Sequence, residues 1–388
     1  MLRVFNTVLQ QLNNLVVVID SDGEVAYVGP SAERMLGFKT GELLGDKWYV
    51  KTCNNIADPE QRKTEVNHLL SQVAAGKSII TPIEHKINTA TGDPRWFLWN
   101  LSAGPDGSLV KIGYDITERK QKEQEILSKN RELVDRNREI FESLEYARNI
   151  QQAILPSAEK LKGVFSEAFT LYQPKDVVSG DFYWAHTEGN VSYAAVVDCT
   201  GHGVPGALMT IMANSLLKDI VIKRKITEPK DLLNTLDDDL QQIINAPGTK
   251  VKTNDGMDIA FCKYDRTAGL ITYGGALRPL IVVSDGVITE YKGSRYPIGF
   301  YHNVVKQFEQ VNIPVKTGDL IYMFSDGYAD QFGGEEGKKF NKKNFKELLL
   351  SINDMELEVQ RSFLEYSSLN WKQKEPQTDD ILIAGFKI

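Results

Sequence analysis

The chain of 388 residues contains little cysteine and has no excess of positive charge. Its three cysteines, Cys53, Cys199 and Cys262, lie far apart, which argues against a disulfide scaffold or a cysteine-rich zinc site and is typical of a reducing compartment. The formal net charge is −7, so no overall basic field favours nucleic acid or an anionic membrane. We therefore expect a protein that binds neither.

Long apolar runs are also lacking near the N-terminus, where the longest, residues 15–19, is too short to span a bilayer. A basic segment, an apolar core and a small-residue cleavage site do not occur in order, so no signal peptide is predicted. Hydrophobic residues make up 42% and charged residues 25% of the chain, as in ordinary packed domains. These features predict a cytoplasmic protein with a sizeable core.

Residues 1–118 alternate between apolar runs and turns in the manner of a small α+β domain. We predict two strands at residues 15–28, a helix over about 59–75, and three closing strands within 83–115. The segments "VVVIDSDGEVAYVGPSAERMLGF" and "GYDITERKQKE" resemble a PAS domain. This resemblance implies a five-stranded antiparallel sheet around a small ligand pocket or a dimerising face. His68 alone does not identify a haem site, and the sequence leaves the ligand of this domain unknown.

The segment from Glu118 to about Leu155 contains no glycine and no proline, which predicts one long helix that ends at Pro156. Apolar or small residues recur at every seventh position, with asparagines at two of the intervening core positions. This pattern predicts a parallel coiled coil, and hence a homodimer through residues 119–155. A helix that packs on its own domain is the alternative. The heptad positions are Ile126, Leu133, Ile140, Ala147 and Ile154, and the asparagines are Asn130 and Asn137.

Residues 157–388 are rich in alternating strands interrupted by helical stretches. Four short motifs in this region place an aspartate at the end of a strand beside a turn. Several carboxylates that converge at such ends form a hard, all-oxygen site suited to Mg²⁺ or Mn²⁺. The aspartates are Asp181, Asp198, Asp326 and Asp379.

The same region resembles the metal-dependent protein phosphatase (PPM, type-2C) family in its SpoIIE/RsbU-like branch. The resemblance is carried by "ARNIQQAILP", "VVSGDFYW", "AAVVDCTGHGVPGALM", "FSDGYADQF" and "QTDDILIAGF". It implies a β-sandwich of two antiparallel sheets with helices on both outer faces and a two-metal site at one end. The whole chain is then α+β, with a PAS sensor domain at 1–118, a coiled-coil linker at 119–156 and a phosphatase domain at 157–388.

The resemblance also implies roles for individual residues. Asp198 would bridge two Mn²⁺ or Mg²⁺ ions, and the backbone carbonyl of Cys199 would complete one ion's protein ligands. Asp326 and Asp379 would hold the other ion. Asp181 would lie beside the site, and Asp380 is the next candidate if the register differs by one residue.

The general acid and the residue that grips phosphate stay open at this point. His202 lies further along the chain from the bridging aspartate than the corresponding histidine of type-2C enzymes, so a catalytic and a structural role are both retained. No arginine occurs in the stretch before Gly180 that would match the phosphate-binding arginine of eukaryotic enzymes, and Lys175 is the candidate in its place.

The implied function is a signal-regulated serine/threonine protein phosphatase that uses two-metal activation of water. By analogy with the same branch, the substrate would be a phosphorylated STAS-type anti-sigma-factor antagonist. The alternative is a catalytically inactive PPM-like binding module in a partner-switching pathway. A missing carboxylate would favour that alternative, and every expected carboxylate is present.

Overall fold

The structure is a computed structural model that describes residues 11, 13–53, 59–75, 82–244, 255–299 and 304–388. The chain divides into two compact units, Met1–Asn137 and Arg138–Ile388. Each unit is built around its own core.

The first unit contains a five-stranded antiparallel sheet in the order β2-β1-β5-β4-β3. Alternate residues of β1 are buried, as expected for a strand with one face on a core. Helices α1–α3 contribute to the same core, in which Trp99 and Phe97 are fully buried. The predicted α+β domain with a five-stranded sheet is therefore confirmed. The strands are β1 Asn14–Ile19, β2 Val25–Val28, β3 Ile83–Asn88, β4 Pro94–Ala103 and β5 Leu109–Asp115, and the helices are α1 Ser31–Leu36, α2 Lys47–Thr52 and α3 Pro59–Ala74.

Helix α4 covers Thr117–Ile154, and it is the long helix that the absence of glycine and proline predicts. Ion pairs spaced four residues apart, such as Glu125–Lys129 and Glu132–Arg136, support its surface. Its large apolar side chains are nevertheless exposed. Leu133 and Ile140, for example, are each 58% accessible in the single chain. The helix therefore carries an apolar stripe that the described residues leave open to solvent.

The second unit is a sandwich of two antiparallel sheets. The first sheet has the order β14-β10-β9-β8-β7, with β13 paired to β9, and the second has the order β12-β11-β15-β18-β6. Side chains from β8, β9, β15 and β18 share one buried cluster between the sheets. The strands are β6 Glu167–Gln173, β7 Asp181–Glu188, β8 Val191–Cys199, β9 Gly256–Asp265, β10 Leu270–Ala276, β11 Leu280–Ser284, β12 Val287–Tyr291, β13 Ile298–Gly299, β14 Gln310–Pro314, β15 Leu320–Phe324, β16 Phe332–Gly333, β17 Lys338–Lys339 and β18 Ile381–Lys387.

Helices cover both outer faces of this sandwich, as the resemblance implies. Helices α6 and α7 pack on the first sheet, and α9 and α10 pack on the second. Among the helices of the described residues, one stretch, Gly203–Lys223, is long and apolar enough to cross a membrane by length and composition, but half of it is buried, as in a core helix. The helices are α5 Ala158–Val164, α6 Gly203–Lys218, α7 Pro229–Ile244, α8 Gly327–Asp330, α9 Lys342–Ser351 and α10 Leu357–Lys372.

Candidate active site

Three aspartates lie side by side on neighbouring strands of the first sheet. In the pairing register, Asp181 of β7 is opposite Asp198 of β8, which is opposite Asp258 of β9. Paired residues of adjacent strands point to the same face of a sheet. Because Val197 and Cys199 pack toward α6 and α7, the aspartate between them faces the other sheet.

The second sheet brings its own carboxylates to the same end of the sandwich. Asp326 lies two residues after the end of β15, and Asp379 and Asp380 precede the first residue of β18, which pairs with β15. Three predicted aspartates thus line one cavity of about 240 Å³, and the fourth, Asp181, is buried on the strand next to Asp198. The cavity is lined by Asp198, Cys199, Thr200, Gly201, His202, Asp258, Arg278, Asp326, Asp379 and Asp380.

A buried arginine stands at the centre of this cluster. The Nη2 atom of Arg278 lies 2.7 Å from Asp198 Oδ2, 2.9 Å from Asp258 Oδ2 and 2.8 Å from Asp326 Oδ2. Both Arg278 and Asp258 are absent from the sequence-predicted site. Asp258 had a usable signal, since it lies two residues after the glycine that begins the apolar strand β9, whereas Arg278 lies in a loop between β10 and β11 that carries no motif.

Burial and repulsion between carboxylates raise the pKa values of three of the predicted aspartates, Asp181, Asp198 and Asp379. Burial raises the pKa of Asp181 well above its ordinary value, and the charge of Asp198 adds to the rise. Burial likewise raises the pKa of Asp198, while Arg278 opposes the shift and Asp326 and Asp258 increase it. The pKa of Asp379 is also raised by burial and by Asp326. The carboxylates therefore need more positive charge than one guanidinium supplies.

The residues present fit divalent metal ions. Oδ2 of Asp181 is buried and accepts no hydrogen bond within the described part of the chain, so one carboxylate oxygen lacks a protein partner. The surrounding donors are carboxylate oxygens, the ligands that Mg²⁺ and Mn²⁺ prefer. As they stand, no three His, Cys, Asp or Glu side chains of the described residues are arranged to hold an ion, and Asp198, Asp258 and Asp326 instead share Arg278.

Asp380 has a structural position that distinguishes it from its neighbour Asp379. Its Oδ1 accepts a hydrogen bond from the backbone N–H of Lys175, and its Oδ2 accepts one from the N–H of Gly180, each at 2.7 Å. Both oxygens are thus engaged in fixing the loop before β7. Asp379 is exposed at the cavity, and its Oδ1 accepts only a short-range bond from the N–H of Asp380 among the described contacts.

Cys199 contributes its backbone to the cavity and its thiol to the core. The side chain is 3% exposed and belongs to the apolar cluster under α6 and α7. Burial, followed by the charges of Asp198 and Asp181, raises the thiol pKa well above its ordinary value. A protonated, buried thiol is a poor nucleophile, so the position does not favour cysteine chemistry.

Glycines allow the loop after β8 to pass close to two other segments. The carbonyl oxygen of Gly201 lies only 2.3 Å from the point that a Cβ atom would occupy at Gly180 and also at Gly206. Any side chain at either position would force this loop, the start of β7 and the first turn of α6 apart. The three segments that carry the first-sheet part of the site are therefore held in direct backbone contact.

His202, Lys175 and Asp176 form a short polar array at the rim of the cavity. Nδ1 of His202 lies 2.6 Å from Asp176 Oδ2, and Nε2 lies 3.3 Å from the Nζ atom of Lys175. Because the lysine ammonium only donates, Nδ1 carries the imidazole proton in this arrangement and Nε2 accepts. The structure thus places both predicted catalytic candidates together at the cavity, with an aspartate that orients the histidine.

The last turns of α4 connect directly to this site through Gln151. Its Nε2 donates to the carbonyl of Ser179 at 2.6 Å and to Thr210 Oγ1 at 2.9 Å, and its Oε1 accepts from the N–H of Ser179 at 3.0 Å. Ser179 Oγ in turn accepts a bond from the N–H of Asp181 at 3.0 Å. One buried amide therefore links the long helix to α6 and to the segment that begins β7.

An antiparallel sandwich with outer helices and a carboxylate cluster at one end defines a metal-dependent protein serine/threonine phosphatase, and the comparisons with known proteins agree. Residues 188–388 match the family model of stage II sporulation protein E (SpoIIE), and residues 9–121 match a PAS fold model. The chain therefore belongs to the SpoIIE family of phosphatases, preceded by a PAS domain.

Two solved structures are similar to parts of this chain. The SiaA PP2C domain of Pseudomonas aeruginosa is similar at 32% identity and a TM-score of 0.59, over 65% of this chain and 98% of that one. The PP2C phosphatase domain of SpoIIE from Bacillus subtilis, with a fragment of its regulatory domain, is 19% identical with a TM-score of 0.46, over 57% and 62% of the two chains. No curated protein sequence gives a significant match.

Proposed function

We propose that this protein hydrolyses a phosphoserine or phosphothreonine of a cytoplasmic partner protein with two Mn²⁺ or Mg²⁺ ions, under control of its N-terminal domain. The convergence of Asp181, Asp198, Asp326 and Asp379 on one end of the sandwich is the observation that carries this proposal. When bound, such a pair of ions supplies Lewis-acid stabilisation and an activated water for displacement at phosphorus. The family relationship supports a phosphorylated STAS-type antagonist as the substrate, by analogy.

The carboxylates of this chain would have the following roles in holding the ions. Asp198 would bridge the two ions, with the backbone carbonyl of Cys199 beside it, and Asp326 and Asp379 would hold the second ion. The buried Asp181 would fix the position of Asp198 or reach an ion through water. Asp258 stands opposite Asp198 in the sheet and joins this set as a further carboxylate ligand candidate.

The residues at the rim of the cavity would protonate the serine oxygen that leaves. Asp176 holds the ring of His202 by its Nδ1 atom, so that Nε2 is presented at the cavity. In its protonated form, His202 would donate from Nε2 to the leaving serine Oγ as a general acid. Lys175 lies beside this nitrogen and would add positive charge for the substrate phosphate.

The first experiment measures phosphate release from p-nitrophenyl phosphate and from a phosphoserine STAS-type protein. We expect release from both with Mn²⁺ or Mg²⁺ and none in EDTA, because the proposed mechanism assigns the activation of water to the bound ions. Full activity in EDTA would overturn the metal-based mechanism. A protein that binds Mn²⁺ yet hydrolyses neither substrate would instead be the inactive binding module.

We further propose that α4 forms a homodimer that couples the PAS domain to the site. The exposed heptad residues Leu133 and Ile140, together with asparagines at alternating core positions, suit a second copy of the same helix. Gln151 gives this helix a direct connection to Ser179 and, through it, to Asp181. A rotation or shift of the helix would then complete or disturb the carboxylate cluster, which is a two-state coupling.

The double substitution Leu133→Glu and Ile140→Glu should dissociate the dimer, because it places like charges along the seam. Light scattering should show dimeric wild-type protein and a monomeric variant, with a changed rate of phosphate release.

Gln151→Ala should leave the dimer intact but lower activity, because it removes three buried hydrogen bonds next to the site, each worth about 1 kcal/mol.

Gln152→Ala is the matched control for the second variant, since Gln152 is the exposed neighbour on the same helix. It should behave like the wild type in both assays. Monomeric wild-type protein at micromolar concentration would end the dimer model. A monomeric variant with unchanged, signal-responsive activity would reduce the helix to a tether.

A further inference from the structure

A second concave surface adjoins the active-site cavity and is lined by positive charge. We call it the basic pocket: a depression of about 290 Å³ lined by Leu277, Pro279, Glu290, Lys292, Gly293, Ser294, Arg295 and Lys342. Two of these residues, Leu277 and Pro279, flank Arg278, whose guanidinium lies in the active site. The same short segment therefore forms part of both cavities.

The basic pocket carries three cationic side chains. Lys292, Arg295 and Lys342 are exposed, and none of them makes an ion pair within the described residues. The acid in the pocket, Glu290, is already paired with Lys346 on α9. Three positive charges without a short-range ion pair among the described residues thus gather at one place on a chain whose net charge is −7.

The pocket is held rigidly against the site. Leu277 donates from its N–H to the carbonyl of Ser294 at 2.9 Å, and Ser294 donates to that of Gly275 at 2.7 Å. These bonds fix the loop that carries Lys292 and Arg295 beside Arg278. Burial raises the pKa of Asp258, and the charges of Arg278 and Lys342 act against that rise, so Lys342 lies within electrostatic range of the carboxylate cluster.

Leu277 adds an apolar contact to this surface. Its φ of +60° is a left-handed conformation that a non-glycine residue adopts only under constraint. Its side chain is 45% exposed at the edge of the pocket. A strained, exposed leucine beside three cations is suited to a protein surface that carries acidic side chains, which are attracted by the charge and contact the leucine at short range.

We propose that the basic pocket is a substrate subsite that binds acidic side chains flanking the phosphorylated residue of the partner protein. This subsite rests on the proposed phosphatase function and specifies which phosphoproteins it accepts. A small phosphate ester would occupy the active-site cavity alone and would not sense the pocket. The charges of Lys292 and Arg295, which would discriminate between substrates, thus lie on side chains other than those that would hold the metals.

The test compares two synthetic phosphoserine peptides, one with flanking glutamates and one with glutamines in their place. Binding to the full chain is measured by fluorescence anisotropy in EDTA, which stops hydrolysis. We expect the glutamate peptide to bind about fivefold more tightly, as two or three exposed ion pairs allow. The preference should vanish in the Lys292→Glu, Arg295→Glu double variant and should disappear at 1 M salt, where the Debye length is about 3 Å.

Lys218→Glu is the matched charge reversal, since Lys218 is an exposed residue at the far end of α6, about 22 Å along the helix from its first residue. It should keep the preference. Equal affinity of the wild type for both peptides, or a preference that survives in the double variant, would overturn the subsite. Release of p-nitrophenol with Mn²⁺ should be unchanged in both variants. A wild-type protein that releases no p-nitrophenol with Mn²⁺ would refute the phosphatase proposal instead.

Discussion

Replacing Asp198 with asparagine is expected to reduce phosphate release from p-nitrophenyl phosphate by more than about 100-fold. Loss of an indirect partner of a metal site costs about 10–100-fold, and Asp198 is proposed to contact both ions directly. It also lies between Asp181 and Asp258 in the sheet, so no neighbouring carboxylate can replace it without a shift of strand register. Steady-state kinetics over a range of Mn²⁺ concentrations measure the loss.

Two further variants make this result specific. Asp238→Asn removes an exposed carboxylate on α7 and should leave the rate unchanged. Cys199→Ala should keep most of the activity, because the backbone carbonyl stays in place when the buried thiol is removed. If Cys199→Ala abolished activity in a folded protein while Asp198→Asn retained it, the chemistry would depend on the thiol and the metal-based proposal would be wrong.

Arg278→Met should produce the largest loss of stability, and this loss should depend on metal. Without the guanidinium, Asp198, Asp258 and Asp326 repel one another in a mostly buried site, and removal of one partner from a buried ion-pair network costs about 3–5 kcal/mol. The lower end applies, because the Asp326 side chain is a third exposed. Excess Mn²⁺ supplies the missing charge. The variant should therefore unfold far below the wild-type temperature in EDTA and only slightly below it in Mn²⁺.

Arg224→Met is the control for this experiment. Arg224 also joins two carboxylates, those of Asp219 and Asp239, but its own side chain is 39% exposed, against 10% for Arg278. Exposed ion pairs contribute about 0–1 kcal/mol, so this variant should unfold close to the wild-type temperature in both buffers. An equal deficit of Arg278→Met in EDTA and Mn²⁺ would show that the arginine supports the fold and not the charge balance of the metal site.

The sequence predicts the parts of this molecule that depend on local pattern. The long helix follows from the absence of glycine and proline, and the five strands of the first unit follow from alternating runs and turns. Their arrangement in one antiparallel sheet is what the resemblance to a PAS domain implies. Asp198, Asp326 and Asp379 reach one cavity because each lies next to a recognisable apolar strand. Helix α10 was not predicted. It carries polar residues such as Gln360 and Ser368 among its buried positions, and these interrupt the apolar periodicity.

Non-local pairing accounts for the site residues that sequence reasoning missed. Asp258 reaches the cluster only because β9 pairs with β8 in a register that places it opposite Asp198, about sixty positions earlier in the chain. Arg278 reaches it through a loop that joins the two sheets of the sandwich. No arginine lies in the stretch before Gly180 that would match the phosphate-binding arginine of eukaryotic enzymes. This observation does not reveal that a guanidinium from elsewhere in the chain lies among the carboxylates.

The uninterrupted register of β7, β8 and β9 also determines where this enzyme tolerates the insertion or deletion of a residue. Side chains alternate between the two faces of a strand, so loss of a single codon within β8 would turn Asp198 toward the helices and bring a neighbouring apolar residue to face Arg278. An added codon in the turn at Gly189 and Asn190 leaves that alternation intact. Lineages of this phosphatase should therefore diverge in length at their turns, whereas the strands that carry the aspartates keep their length.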